Sequence, residues 1–177
     1  MIEKIEKVLL KESEIQKKVK ELGEKISEDY KDTLPHLICI LKGASIFHSD
    51  LIRNISIPLT IDYLSVSSYG DKTESTGRVH LVKDLDNPIK DRDVIIVEDI
   101  IDTGYTIEYL LNLFKLRKPR SIKLCALLSK PSRRRVPVKI DYLGFEIPDA
   151  FVIGYGLDFD ERYRNSPDIS ILRLIEE

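Results

Sequence analysis

A chain of 177 residues with 42% hydrophobic side chains is long enough for one sizeable core. Its net charge of −2 argues against a generic nucleic-acid or membrane-surface protein. No apolar run approaches the ~20 residues that span a bilayer. The stretch Met1 to Lys7 alternates charged and apolar residues instead of forming a signal-peptide core. Cys39 and Cys125 sit in apolar strand-like runs, which fits buried thiols in a reducing compartment. The expectation is a soluble cytoplasmic protein.

In chain order, Ile5 to Leu10 is ambiguous, with an edge strand as one reading. Ser13-Glu14-Ile15-Gln16 reads as a capping box with Ser13 as N-cap, and Ile15, Val19, Leu22 and Ile26 recur at helical spacing to about Tyr30. His36 to Leu41 predicts a buried strand, which Lys42-Gly43-Ala44 turns into a helix through roughly Ile52. Thr60 to Ser67 alternates as a strand should, whereas Ser68 to Arg78 is polar and predicts a long mobile loop.

A short strand from Leu81 is punctuated by Asn87-Pro88, and a β-branched run follows from Val94 to Val97. The helical pattern Ile107, Leu110, Leu111, Phe114 stops at Lys118-Pro119. Ile122 to Leu128 is another buried strand, Arg133 to Val138 a basic loop. Leu143 to Ile147, Ala150 to Tyr155 and Ile169 to Leu174 close the chain as strands. Alternating strands and helices predict an α/β fold with a mostly parallel twisted sheet flanked by helices. One domain over residues 1–177 is expected, with a small subdomain from about residues 1–12 and 143–177.

The segment V-I-I-V-E-D-I-I-D-T-G-Y-T from Val94 is the most informative. A buried strand ends in Glu98 and Asp99, and a polar turn then opens a helix. Free amides at a helix start, with the hydroxyls of Thr103 and Thr106, form a phosphate cradle. Two adjacent acids suit hydroxyl groups or a hard cation beside it. Together they point to a phosphorylated sugar. The alternative is an ordinary capped helix start with Asp102 as N-cap.

This segment resembles the phosphoribosyl-diphosphate signature of type I phosphoribosyltransferases. Further blocks narrow the resemblance to the hypoxanthine–guanine branch of bacterial type: L-K-G-A at Leu41, S-S-Y-G-D-K-T-E-S-T-G at Ser67, L-S-K-P at Leu128 and G-F-E-I-P-D-A-F-V-I-G-Y-G-L-D-F-D-E-R-Y-R-N at Gly144. The resemblance implies transfer of the phosphoribosyl group from 5-phosphoribosyl 1-diphosphate to hypoxanthine or guanine, with Mg²⁺ as cofactor and a homodimer or homotetramer as the assembly. It implies that Asp102, Thr103, Gly104, Tyr105 and Thr106 wrap the 5′-phosphate, and that Asp102 is the acid/base. Glu98 and Asp99 would serve the ribose hydroxyls and the metal, and Asp158 a second metal near the purine 2-substituent. Lys130 would read the 6-oxo group, Phe151 would stack on the base, and Val152 would offer main-chain atoms to its edge. Lys42 and Gly43, in a loop whose Leu41–Lys42 peptide is often cis in the family, would bind pyrophosphate with Arg164. Ser68 and Tyr69 would sit at the closing edge of a lid.

The residues alone leave duller readings open: a solvated lysine for Lys130, a core aromatic for Phe151, a surface cation for Arg164. Arg133-Arg134-Arg135 reads as a solvated basic loop, and His36, His48 and His80 lack metal-ligand spacing. Two functional alternatives are a phosphoribosyltransferase for xanthine, adenine or uracil, and a regulator that senses phosphoribosyl diphosphate. A regulator of nucleic acid would need a broad basic face, which the net charge of −2 does not supply.

Overall fold

The computed structural model describes residues 2–69 and 78–175. In chain order these form β1 (Ile2–Leu10), α1 (Glu12–Asp29), β2 (His36–Leu41), α2 (Ser45–Arg53), β3 (Thr60–Tyr69), β4 (Arg78–Lys83) and β5 (Asp93–Ile101). There follow α3 (Tyr105–Leu116), β6 (Ser121–Ser129), a short 3-10 turn at Pro131–Arg133, β7 (Tyr142–Glu146), β8 (Val152–Ile153) and β9 (Ile169–Ile175). A six-stranded sheet has the order β4-β3-β2-β5-β6-β7, and β1-β9-β8 form a second, three-stranded sheet.

The inner strands of the large sheet are the apolar, β-branched runs, and each is sandwiched between helical layers. Period-two alternation sorts their side chains. From β2 and β5, Leu37, Ile95 and Val97 turn toward α1 and α2, where they meet Ile15, Val19, Phe47 and Leu51. Ile38, Ile40, Val94 and Ile96 turn the other way, against Ile107, Leu110 and Phe114 of α3. The strands from β3 to β7 run parallel, and only β4 is antiparallel to its neighbour. Their C-terminal ends therefore open on one edge, where a doubly wound sheet binds ligands. The predicted fold class is the observed one.

Several boundaries differ from expectation for identifiable reasons. Helix α1 begins at Glu12 with Lys11 as its cap, because the Glu14 carboxylate accepts the Lys11 N–H at 3.0 Å. The Glu12 N–H finds a remote acceptor, Asp168 Oδ1 at 2.7 Å, so no Ser13 cap is needed. The ambiguous N-terminal segment is strand β1, paired antiparallel with β9. Ser68 and Tyr69 belong to β3 and Arg78 to β4, with Tyr69 opposite Arg78, so the predicted loop is strand at both ends. The remainder of that lid, residues 70–77, lies outside the described residues. The segment from about residue 143, expected in the small subdomain, instead begins within β7, which extends the large sheet parallel to β6.

The segment after β8 is fastened back to the helical layer. Tyr155 Oη donates to Asp50 Oδ2 at 2.6 Å, and Gln16 Nε2 donates to the same oxygen at 2.9 Å. Tyr155 sits between Gly154 and Gly156, and all three have positive φ (97°, 51° and 98°). A Cβ on Gly156 would fall 2.2 Å from the Gly43 carbonyl oxygen, so only glycine permits this approach. Tyr155→Phe should lower unfolding free energy by about 1–3 kcal/mol, the scale of a buried hydrogen bond to a charged acceptor. A urea midpoint matching wild type would show that this bond does not hold the segment.

Candidate active site

A cleft of about 440 Å³ opens at the C-terminal ends of the parallel strands. It gathers Lys42, Gly43, Glu98, Asp99, Asp102, Thr103, Gly104, Thr106, Asp158 and Arg164 from three separate stretches of chain. Tyr105, Lys130, Phe151 and Val152 do not line it. Ser68 and Tyr69 end β3, paired through their main chain to β4.

The floor is β5, which does not stop at Val97 but carries both acids and continues to Ile101. The Leu41–Lys42 peptide is cis. Gly43 packs so tightly on the floor that a Cβ there would fall 1.7 Å from Asp99 Oδ2.

The phosphate turn is Asp102-Thr103-Gly104. Asp102 is not the helix cap: Gly104, at φ 96°, caps α3, and no side chain bonds at that position. The first intrahelical bond runs from Glu108 N–H to the Gly104 carbonyl at 2.9 Å. The amides of Tyr105, Thr106 and Ile107 thus precede that ladder, at the positive end of the helix dipole. Releasing Asp102 from capping leaves its carboxylate available to the cleft.

What fixes the turn is the arginine segment, which corrects the reading of Arg133 to Arg135 as a solvated loop. Arg134 Nε donates to the Asp102 carbonyl at 3.1 Å, and its Nη2 to Ser129 Oγ at 2.8 Å. The Thr103 carbonyl accepts the N–H groups of Arg135 (2.9 Å) and Val136 (3.1 Å). Arg133 Nε lies 3.1 Å from Asp102 Oδ1, close enough for an ion pair but misaligned for a hydrogen bond. That buried oxygen is left without a hydrogen-bond donor among the described residues. Arg133 Nη1 also reaches Asp149 Oδ1 at 3.4 Å, so it bridges the turn to the segment before Phe151.

Burial dominates the electrostatics of the floor. Glu98 is 6% exposed, and desolvation, then the adjacent Asp99 charge, push its pKa well above the usual 4.5. Burial raises Asp99 too, partly opposed by the Ile100 N–H, which donates to Asp99 Oδ1 at 2.7 Å. A buried and a half-buried acid side by side concentrate negative charge, so the pair fits a hard divalent cation. Asp158 is otherwise engaged: Arg164 Nη2 lies 2.9 Å from its Oδ1, and the Glu161 N–H donates to its Oδ2 at 2.8 Å. Among the described residues no three acidic, His or Cys side chains converge as a ready-made cage. A cation on Glu98 and Asp99 would therefore complete its shell with water or substrate oxygens.

Lys130 is buried at the end of β6, where desolvation lowers its pKa and the Asp102 carboxylate opposes that shift. Phe151, by contrast, is 51% exposed, touching Phe159 edge-to-face at 5.8 Å between centroids. It is not a core aromatic. Val152 is buried and pairs with Ile171. Arg164 is likewise no free surface cation, since its Nη1 donates to the Gly156 carbonyl at 2.8 Å. Sequence reasoning placed Arg134 in a solvated loop because its partners, the Ser129 hydroxyl and the Asp102 carbonyl, lie 5 and 32 residues away, and it passed over Glu161, which contacts both Lys42 and Arg164. Both thiols are buried and free, as expected. No helix among the described residues is long and apolar enough to cross a membrane.

Two outcomes follow from this geometry. Because the folded pKa of Glu98 lies above its unfolded value, its stabilising contribution is present below about 4.5 and is lost as pH rises through the folded pKa. Without divalent cation, Glu98→Gln should thus raise the thermal midpoint at neutral pH and flatten its decline with pH; parallel wild-type and variant curves would refute this. Arg134→Ala should cut turnover on the order of tenfold or more by loosening the turn, with circular dichroism unchanged. Full turnover would mean that the main-chain bonds to Thr103 suffice.

Residues 7–160 match the model of the phosphoribosyl transferase domain family. The chain is 55% identical over 169 residues to the hypoxanthine-guanine phosphoribosyltransferase of Bacillus subtilis, covering 96% of this chain and 94% of that protein. A crystal structure of a hypoxanthine phosphoribosyltransferase from Staphylococcus aureus superposes with TM-score 0.92 at 46% identity, covering 96% of this chain and 92% of that one. A hypoxanthine-guanine phosphoribosyltransferase from Bacillus anthracis, with a HEPES molecule in its active site, gives TM-score 0.91 at 47% identity, with 95% and 99% covered. The family model spans most of the chain, and the identities and superpositions extend over nearly all of it: the chain belongs to the phosphoribosyltransferase family.

Proposed function

We propose that this protein is a purine-salvage enzyme that transfers the phosphoribosyl group of 5-phosphoribosyl 1-diphosphate to hypoxanthine or guanine, giving IMP or GMP and pyrophosphate. The observation that carries this reading is one cleft combining an adjacent acid pair, a helix-start amide cradle, and Lys42 and Arg164 as cations. A sugar bearing a 5-phosphate, two hydroxyls and a 1-diphosphate matches those features one for one. The names of the Bacillus and Staphylococcus relatives supply the purine.

In this mechanism the amides of the turn with the hydroxyls of Thr103 and Thr106 hold the 5′-phosphate. Glu98 and Asp99 take the ribose hydroxyls and would hold Mg²⁺, with Asp158 as a second position. A bound ion would supply positive charge to offset the negative charge of the substrate. Lys42 and Arg164, with the amide of Gly43, receive the leaving pyrophosphate. The imidazole-ring nitrogen of the base forms the bond to the anomeric carbon, while the carbon–oxygen bond breaks and its electron pair leaves on pyrophosphate. The N–H proton of the attacking ring passes to the Asp102 carboxylate. Asp102 lines the cleft and does not cap the helix, which leaves its carboxylate to take this part.

Lys130 donates to the 6-oxo group and would meet an amino group unfavourably, which selects against adenine. Phe151 offers an exposed ring face for stacking, Val152 its main-chain atoms, and Ser68 and Tyr69 close the site from the lid. The protein works in the cytoplasm as a homodimer or homotetramer. It takes up neither nucleic acid nor membrane.

Turnover with 5-phosphoribosyl 1-diphosphate, Mg²⁺ and each purine in turn tests this directly. Hypoxanthine and guanine should be consumed in preference to xanthine, adenine or uracil. No nucleotide formation, combined with a gel shift of RNA or DNA, would favour the sensing regulator instead. Asp102→Asn should lower kcat by about 10²- to 10⁴-fold while nucleotide binding persists; an unaltered kcat would remove Asp102 from the proton transfer. Lys130→Met should weaken 6-oxopurine use and narrow the gap to adenine. Retained discrimination would assign base selection elsewhere.

A further inference from the structure

The two cations of the diphosphate subsite are already joined through an anion of the chain itself. Lys42 Nζ lies 2.9 Å from Glu161 Oε2, and Arg164 Nη2 lies 3.3 Å from Glu161 Oε1. Each carboxylate oxygen thus takes one cation, as two phosphate oxygens would. The two holds differ in kind. Arg164 is secured without Glu161, by the Gly156 carbonyl and the Asp158 carboxylate. The Lys42 side chain makes no other hydrogen bond or ion pair with the described residues.

Glu161 is also built to let go. Its carboxylate is 65% exposed, and it projects from a turn in which Asp160 and Glu161 both have positive φ (52° and 63°). The main chain of that turn is pinned separately, by the Glu161 N–H to Asp158. The side chain can therefore swing away without carrying the backbone. Exposed ion pairs of this kind are weak and exchange readily.

We infer that Glu161 is a positioning residue that occupies the diphosphate subsite of the empty enzyme, bridging Lys42 to Arg164 until a diphosphate displaces it. The inference rests on the reading of Lys42 and Arg164 given above. Glu161 neutralises the two cations while the site is empty. It keeps the flexible lysine pointed at the arginine, and closes again behind departing pyrophosphate. An entering anion must break both contacts, so apparent affinity falls by the fraction of time the bridge is closed.

Calorimetric titration of the full chain with magnesium pyrophosphate tests this, comparing wild type with Glu161→Gln and Glu161→Ala. Both variants should bind pyrophosphate roughly 3- to 10-fold tighter, the loss expected from two weak exposed pairs. The KM for phosphoribosyl diphosphate should fall by a similar factor, while the KM for hypoxanthine stays constant. Adding Lys42→Met should abolish most of that gain, a coupling that a merely structural role would not produce. Unchanged or weaker pyrophosphate binding in both variants overturns the inference and leaves the subsite reading intact. Failure of wild type and variants alike to bind pyrophosphate overturns the reading of Lys42 and Arg164, and this inference with it.

Discussion

Gly43 is pressed between the Asp99 carboxylate below it and the Gly156 backbone above it, with no room for a Cβ at either glycine. This stack brings three distant pieces of chain to van der Waals contact: the end of β5, the loop after β2 and the turn after β8. Each piece carries part of the cleft. The acids come with β5, Lys42 with the loop, and Asp158 and Arg164 with the turn. Backbone packed on backbone moves little, so the stack sets the spacing between the acid pair and the cations above it.

The same closeness explains the charge arrangement. Glu98 and Asp99 are kept dry enough that burial outweighs every other influence on their protonation. A site that holds acids back from ionising is poised for a cation or a polyol, either of which repays the desolvation. On the other side of Asp102 the arginine segment supplies structure more than charge. Arg134 and the amides of Arg135 and Val136 tie down carbonyls that a tight turn would otherwise leave open to water. Because those bonds hold the main chain, the Asp102 side chain needs no capping duty.

Much of the framework was legible in the sequence because it rests on local pattern. Apolar runs gave β2, β5 and β6, and helical spacing gave α1 and α3, since burial on a sheet or helix face repeats with the geometry of the element. Boundaries slipped where a remote partner decided them. Helix α1 starts at Glu12 because Asp168 accepts its amide, and β3 continues through Tyr69 because β4 pairs with it. Strand Tyr142–Glu146 could have joined either sheet from its composition, and only pairing with β6 placed it.

The residue types of the site were likewise determined by the sequence alone: two acids at a strand end, an Asp-Thr-Gly turn, a lysine–glycine loop, a lysine after a buried strand. These are short-range patterns whose chemistry is carried by adjacent residues. Which of them share a cleft, and what each touches, was decided only by the tertiary structure. Asp102 became a carboxylate without capping duty when Gly104 took the cap, Phe151 an exposed ring, Arg134 a brace and Glu161 a bridge between Lys42 and Arg164. The physical reason is common to all four. Hydrogen bonds, ion pairs and burial act over a few ångströms in space, and the partners concerned lie up to 119 residues apart along the chain.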